Sequence, residues 1–256
     1  MKRVDVPTEF LSTCTKGATV ALPDDTAHYV GNVLRREPGD RLELFDGTGN
    51  LATVELSTVD DGITIEVLDF TEAPRRESPI RTVLFQAIPK GKRWDWILEK
   101  ATELGVCEIV PLESEYTVVQ IPEDRLKRRR KRWDKKLASA ARQCQRTVIP
   151  SIFDPISLAQ AYADHDCDIH LVAHPGDDSP TIGEALRGAD EEVDSVGIWI
   201  GPEGGFSDEE VDELKRQEMI PVAMGPRILR ADTAGIVALT LVQQACGDFG
   251  TNATDS

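Results

Sequence analysis

Two glycine-rich turns hold the residues of this 256-residue chain best suited to chemistry. One is Ile200-Gly201-Pro202-Glu203-Gly204-Gly205-Phe206-Ser207. The other, Gly225-Pro226-Arg227-Ile228-Leu229-Arg230-Ala231-Asp232-Thr233-Ala234, comes one strand–helix unit later and leads into a nearly all-apolar helix from about Asp232 to Gly247. Glycine at a strand end exposes backbone donors with no Cβ in the way, which suits a base or sugar pressed against main chain. A doubly wound sheet holds its ligand on such loops, beyond the carboxyl ends of its strands. Neither turn carries Gly-x-Gly-x-x-Gly with an acidic residue about 20 positions further on, and Gly-x-x-x-x-Gly-Lys-[Ser/Thr] does not occur. A Rossmann dinucleotide site and a P-loop are therefore disfavoured.

The elements that must position these turns follow from periodicity. From residue 80 onward, apolar strand cores alternate with helical patterns. Thr82–Phe85, Cys107–Leu112, Ile169–Ala173, Val196–Ile200 and Pro221–Met224 read as strands, with a short one at Val148-Ile149 and Ile152. Helices are expected around Trp94–Leu104 with Gly105 as C-cap, over Glu123–Gln145, and at Leu158–Ala163, Ile182–Leu186 and Asp208–Gln217. Such alternation means a mainly parallel sheet covered on both faces. Residues 1–72 differ. Ala18–Leu22, Arg41–Phe45, Leu51–Val59 and Ile63–Phe70 read as short strands around one helix from Asp24 to Leu34, with a hairpin turn at Asp60-Asp61-Gly62. Several strands in so few residues suggest a small β-barrel domain over 1–72. Residues 73–79, with two prolines and no apolar period, form the linker. An α/β domain fills 80–250, and 251–256 is a tail.

Composition limits the function class. Net charge is −16, which argues against non-specific nucleic-acid binding by the whole surface. The run Lys127–Arg132, with Lys135 and Lys136, is a local candidate phosphate-binding face; a solvated helix face explains it equally well. Five widely spaced cysteines without a Cys-x-x-Cys pair disfavour a disulfide framework or a zinc site, and no metal is expected. No apolar run approaches the ~18 residues of a membrane span, and Met1–Asp5 lacks the apolar core of a signal peptide. A reduced, cytoplasmic protein is the expectation.

Four stretches in order carry a family resemblance. They are Val30–Arg35 with Pro38-Gly39-Asp40, Lys90–Val106, Ile200–Ser207 and Gly225–Arg230. Together they resemble the RsmE-type 16S rRNA (uridine-N3) methyltransferases of the SPOUT, or α/β-knot, class. The resemblance implies a PUA-like N-terminal domain and an α/β domain threaded as a deep trefoil knot. It also implies a homodimer, S-adenosylmethionine as cofactor and the small ribosomal subunit as partner. The chain departs from the family pattern at Tyr116-Thr117-Val118 (usually Arg-Ser-Val), Arg142-Gln143-Cys144 (Glu-Gln-Ser) and Asp232-Thr233-Ala234 (Glu-Thr-Ala).

On the same resemblance, the cofactor pocket comprises Leu171, Val172 and His174 from one strand-end loop. Ile200, Gly201, Glu203, Gly204 and Gly205 come from a second loop, and Met224, Gly225, Ile228 and Leu229 from a third. An apolar slot for the adenine would be lined by Ile200, Met224, Ile228 and Leu229. Deprotonation of uracil N3 spreads negative charge to the flanking carbonyl oxygens, so catalysis needs positioning and a nearby cation. Arg230 is the candidate for that cation, with capping of helix ends or phosphate binding as the alternative reading. Glu203 is expected to shape its loop, with ribose contact or base chemistry as alternatives, and His174 to act structurally before Pro175. Candidate rRNA contacts are Arg35, Arg128, Arg130, Arg142 and Arg146. A methyltransferase for another RNA position and a non-catalytic RNA-binding assembly factor are the competing readings.

Overall fold

The computed structural model describes residues 1–58, 62–72, 76–174, 178–189 and 192–250. The expected hairpin turn at Asp60-Asp61, the start of the linker, Pro175 and the tail lie outside them. Two compact units are present, Met1–Glu77 with Ala141–Ile149, and Ser78–Ala140 with Pro150–Ser256.

The first unit contains β1 (Lys2–Asp5), α1 (Thr8–Leu11), β2 (Thr19–Ala21), α2 (Asp24–His28), one π-helical turn (Tyr29–Val33), β3 (Arg41–Phe45), β4 (Leu51–Thr58) and β5 (Thr64–Thr71). Its five strands are ordered β1-β3-β4-β5-β2. β1 runs parallel to β3 and the remaining pairs are antiparallel. Alternation places Leu42, Leu44, Val54, Leu56, Ile65 and Val67 in one core, while Glu43, Glu55 and Glu66 face outward or half-outward. The helix expected over Asp24–Leu34 instead changes to the wider π turn at Tyr29, within a stretch containing the poor helix former Gly31.

Val148-Ile149, expected as a strand of the α/β domain, belongs to this first unit instead. Val148 bridges Gly47 and Thr48, and Ile149 N donates to Gly47 O at 2.9 Å. Gly47 has φ +79°, and a Cβ there would lie 2.7 Å from the Ile149 side chain, so glycine is required on both counts.

The second unit runs β6 (Arg81–Ala87), α3 (Arg93–Glu103), β7 (Glu108–Glu113), α4 (Glu123–Cys144, whose residues from Ala141 onward count with the first unit), β8 (Ser151–Ile152), β9 (Ile156–Ser157), α5 (Leu158–Asp164), β10 (Ile169–Val172), α6 (Ile182–Arg187), β11 (Ser195–Ile200), α7 (Asp208–Arg216), β12 (Ile220–Pro221) and α8 (Ala231–Cys246). The sheet order is β12-β10-β11-β6-β7-β8, with β9 on β7, and every pairing is parallel. β6, β10 and β11 are buried almost throughout, as a sheet covered on both faces demands. Helix starts are fixed by three capping boxes, Ser157/Gln160, Thr181/Glu184 and Ser207/Glu210. α3 stops at Gly105, whose φ of +82° lets Val106 N reach back to Ala101 O at 3.0 Å.

Candidate functional site

Strand order creates the site. β10, β11 and β12 are spatial neighbours although whole helices separate each from the next in sequence, so their three following loops emerge side by side. Register aligns their ends: Val172 stands opposite Trp199 on one side and Pro221 on the other. Backbone bonds then lock the exits. Ala173 N donates to Trp199 O at 2.9 Å, Val222 N to Val172 O at 2.8 Å and Ala223 N to Pro180 O at 2.9 Å.

Each expected cofactor residue has a definite place in this cluster. Leu171 and Val172 are buried within β10, and half-buried His174 donates its backbone N–H to Val172 O at 2.8 Å. Ile200 closes β11. A Cβ on Gly201 would lie 3.1 Å from the carbonyl carbon of Gly205, so a larger residue would push back the backbone where the loop doubles on itself. Gly205 adopts φ +75° and its N–H caps the turn on Pro202 O at 2.9 Å. A Cβ on Gly204 would come within 3.1 Å of Tyr116 Cβ. On the third loop Gly225 has φ +100°, with Met224 and Leu229 half-buried. Ile228 differs from expectation. Its side chain is fully exposed and does not line a slot in this arrangement.

Glu203 is held rather than free. Its Oε1 accepts from Lys90 N at 3.2 Å and from Arg93 NH1 at 3.3 Å. Arg93 also approaches Asp232 Oδ2 at 3.8 Å, so one guanidinium links the loop after β11 to the first turn of α8. Asp232 Oδ1 is buried without a hydrogen-bond partner among the described residues. Sequence reasoning missed Arg93. The signal was the cationic run Lys90-Gly91-Lys92-Arg93, which leads from the loop after β6 into the first residue of α3.

Arg230 is the N-cap of α8. Its carbonyl accepts from Thr233 N at 2.9 Å and Ala234 N at 2.7 Å, while its side chain is exposed and makes no capping bond. A cation at a helix N-terminus opposes the macrodipole by roughly 0.3–1 kcal/mol. Helix stability does not explain an arginine here; a negative charge arriving from outside would. Beside these loops, Lys90, Tyr116, Val118, Glu203 and Gly204 line a concavity of about 520 Å³ at the carboxyl ends of β11, β6 and β7.

The proposed rRNA contacts divide sharply. Arg35 and Arg128 are exposed, Arg35 in the left-handed region at φ 52°. Arg130 NH1 is tied to Asp154 at 2.8 Å. Arg142 pairs with Asp5 and lies over the Tyr29 ring, 5.9 Å from its centroid. Arg146 is a correction: 3% exposed, it donates to Glu77 at 2.7 and 2.8 Å. It serves the interior of its unit and presents no surface to RNA.

The RNA methyltransferase domain family matches residues 76–243, and the RNA methyltransferase PUA domain family matches 22–68. Ribosomal RNA small subunit methyltransferase E of Bacillus subtilis is 32% identical over 231 residues, covering 88% of this chain and 89% of that protein. The enzyme of the same name from Buchnera aphidicola of Acyrthosiphon pisum is 33% identical over 230 residues, covering 89% and 88%. Among solved structures, ribosomal RNA small subunit methyltransferase E of Neisseria gonorrhoeae, bound to S-adenosylmethionine, superposes with a TM-score of 0.83 at 30% identity over 97% of this chain and 99% of that one. A Legionella pneumophila protein in complex with the same cofactor gives 0.83 at 34% identity over 96% and 98%.

Proposed function

The chain belongs to the ribosomal RNA small subunit methyltransferase E family, and on that premise we propose that it methylates N3 of one uridine in 16S rRNA. It is an S-adenosylmethionine-dependent methyltransferase with a PUA domain. The uracil-N3 assignment rests on one observation, the placement of Arg230. An exposed cation stands at the mouth of three converging strand-end loops, where no acidic partner among the described residues neutralises it. The cofactor, when bound, supplies an electrophilic methyl group on a positively charged sulfur.

The protein's own residues do the rest. Gly205 presents main chain with open space beside it, Gly201 and Gly204 let the loop pack closely on itself and on Tyr116, and Ile200, Met224 and Leu229 offer apolar surface for an adenine. Glu203, held by Lys90 N and Arg93, fixes the loop and leaves little freedom to serve as a base. Arg230 stabilises the negative charge on the uracil carbonyl oxygens after N3 loses its proton. We further propose that the segment from β12 into α8 is the knotted thread. Support comes from the sheet order, in which the chain reaches the far edge at β12 and returns to pack α8 on α3, α6, β6 and β11. Exposed Leu241 and Phe249 favour a second copy of the chain against α8, and a substrate in the small ribosomal subunit favours the cytoplasm as the place of reaction. No helix among the described residues is long and apolar enough to cross a membrane.

Nucleoside mass spectrometry of small-subunit rRNA from a strain lacking the protein, with and without complementation, tests the reading. Loss and restoration of 3-methyluridine supports it. An unchanged nucleoside profile would mean another RNA position, and failure of the purified protein to bind S-adenosylmethionine would leave only an RNA-binding role.

A further inference from the structure

We propose that one face of α4, carrying Arg128, Lys131 and Lys135, docks the phosphate backbone of the rRNA substrate; this rests on the rRNA methyltransferase reading above. α4 concentrates charge to a degree found nowhere else in the chain. Its 22 residues hold ten of the 29 Lys and Arg and only three acidic residues, in a protein of net charge −16. Such a surface otherwise repels a polyanion, so a substrate RNA needs a local positive face to approach.

Packing and pairing sort six of the ten cations into two groups; of the other four, Arg142 pairs with Asp5, and Arg125, Lys127 and Arg129 are exposed elsewhere on the helix. Trp133, Leu137 and Ala140 are buried and define the inward face. The flanking cations are already neutralised: Arg130 pairs with Asp154, Arg132 with Asp95 and Lys136 with Glu99. Arg128, Lys131 and Lys135 are exposed at i, i+3 and i+7, close to one line on the side opposite Trp133 and Leu137. None of the three has an ion-pair partner among the described residues, although exposed Asp124 and Asp134 lie on the same helix. With ~1.5 Å rise per residue they span roughly 10 Å along the axis, a row of charge long enough to meet more than one phosphate. Contacts of this kind read no sequence; they hold the RNA while the strand-end loops select the nucleotide.

The test is the salt dependence of binding to a fluorescein-labelled fragment of small-subunit rRNA, followed by anisotropy. For the full-length triple variant Arg128→Gln/Lys131→Gln/Lys135→Gln, the slope of log K against log salt should flatten by about 2, at roughly 0.7 per contact to single-stranded RNA. S-adenosylmethionine affinity should stay at the wild-type value. The pair Arg132→Gln/Lys136→Gln should keep the wild-type slope, because their charges are engaged with Asp95 and Glu99. An unchanged slope in the triple variant overturns the proposal and leaves the face solvated. If the triple variant loses cofactor binding, the three single variants decide, each expected to remove roughly 0.7 from the slope. Wild-type protein that methylates rRNA but binds it with no contribution from this face sinks the docking surface alone. Wild-type protein that neither binds nor methylates rRNA, yet binds polyglutamate through α4, sinks both readings in favour of an acidic protein partner.

Discussion

Arg93 NH1 donates to Glu203 Oε1 at 3.3 Å while Arg93 Nε faces Asp232 Oδ2 at 3.8 Å, so one side chain at the start of α3 ties two of the candidate site's segments together. Arg93 and Glu203 are each more than a third exposed, and exposed ion pairs contribute ~0–1 kcal/mol to stability. The value of this pair lies in position. Arg93→Gln should leave thermal stability nearly unchanged and weaken S-adenosylmethionine binding several-fold, as read by calorimetric titration. Wild-type affinity with wild-type turnover would show that the loops hold their places without this link.

Arg230 poses the opposite case. Its guanidinium opposes the α8 dipole, so Arg230→Ala should keep or slightly raise the melting temperature. Methyl transfer should fall by about 10²-fold or more, the scale for losing one charge-stabilising donor, with cofactor affinity retained. Turnover at the wild-type rate would remove Arg230 from the mechanism.

Much of this arrangement was legible because the relevant physics is local. Gly105 as a C-cap, the strand Arg41–Phe45 and helices from near Ser157, Thr181 and Ser207 all follow from short-range rules of capping and periodicity. β1 and β9 were missed: Lys2–Asp5 and Ile156–Ser157 are too short to show a period, and only their partners β3 and β7 make them strands. The same holds for Val148, whose pairing with Gly47 spans about a hundred residues. At the site, the glycines announced their loops, but no pattern in sequence places Arg93 beside Glu203 or hides Arg146. Charge runs show how many cations there are; the fold decides which are already spoken for.

Arg146 and Glu77 form a largely buried pair, and Glu77 Oε1 also accepts from Thr147 N and Val148 N, each at 3.0 Å. Removing the cation leaves a carboxylate inside with its charge uncompensated. Arg146→Ala should therefore destabilise the protein by roughly 3–5 kcal/mol, read as a lower denaturation midpoint with an unchanged slope. Normal stability combined with weakened RNA binding would return Arg146 to the set of RNA contacts.

His170 gives the chain a built-in acid sensitivity. It sits 8% exposed among Phe85, Tyr162 and Trp199, and Trp199 Nε1 donates to its Nδ1 at 3.0 Å. Burial pushes its pKa down to about 4; nearby Arg81 also lowers it, and Asp166 opposes the shift. The folded pKa lies below the unfolded value near 6.5, so the unfolded chain takes up a proton that the folded one refuses. The stability that neutral His170 permits is complete above pH ~6.5 and falls away as the pH drops towards 4, by roughly 3 kcal/mol at most. His170→Asn keeps an acceptor near Nδ1 and cannot be protonated. It should be less stable than wild type at pH 7, where the smaller side chain leaves a void, and should lose less further stability between pH 6.5 and 4.5. Carboxylates titrate in both proteins, so the difference between the two melting curves isolates His170. Parallel pH profiles would show that the buried ring finds a way to accept its proton, through Asp166 or local opening around β10.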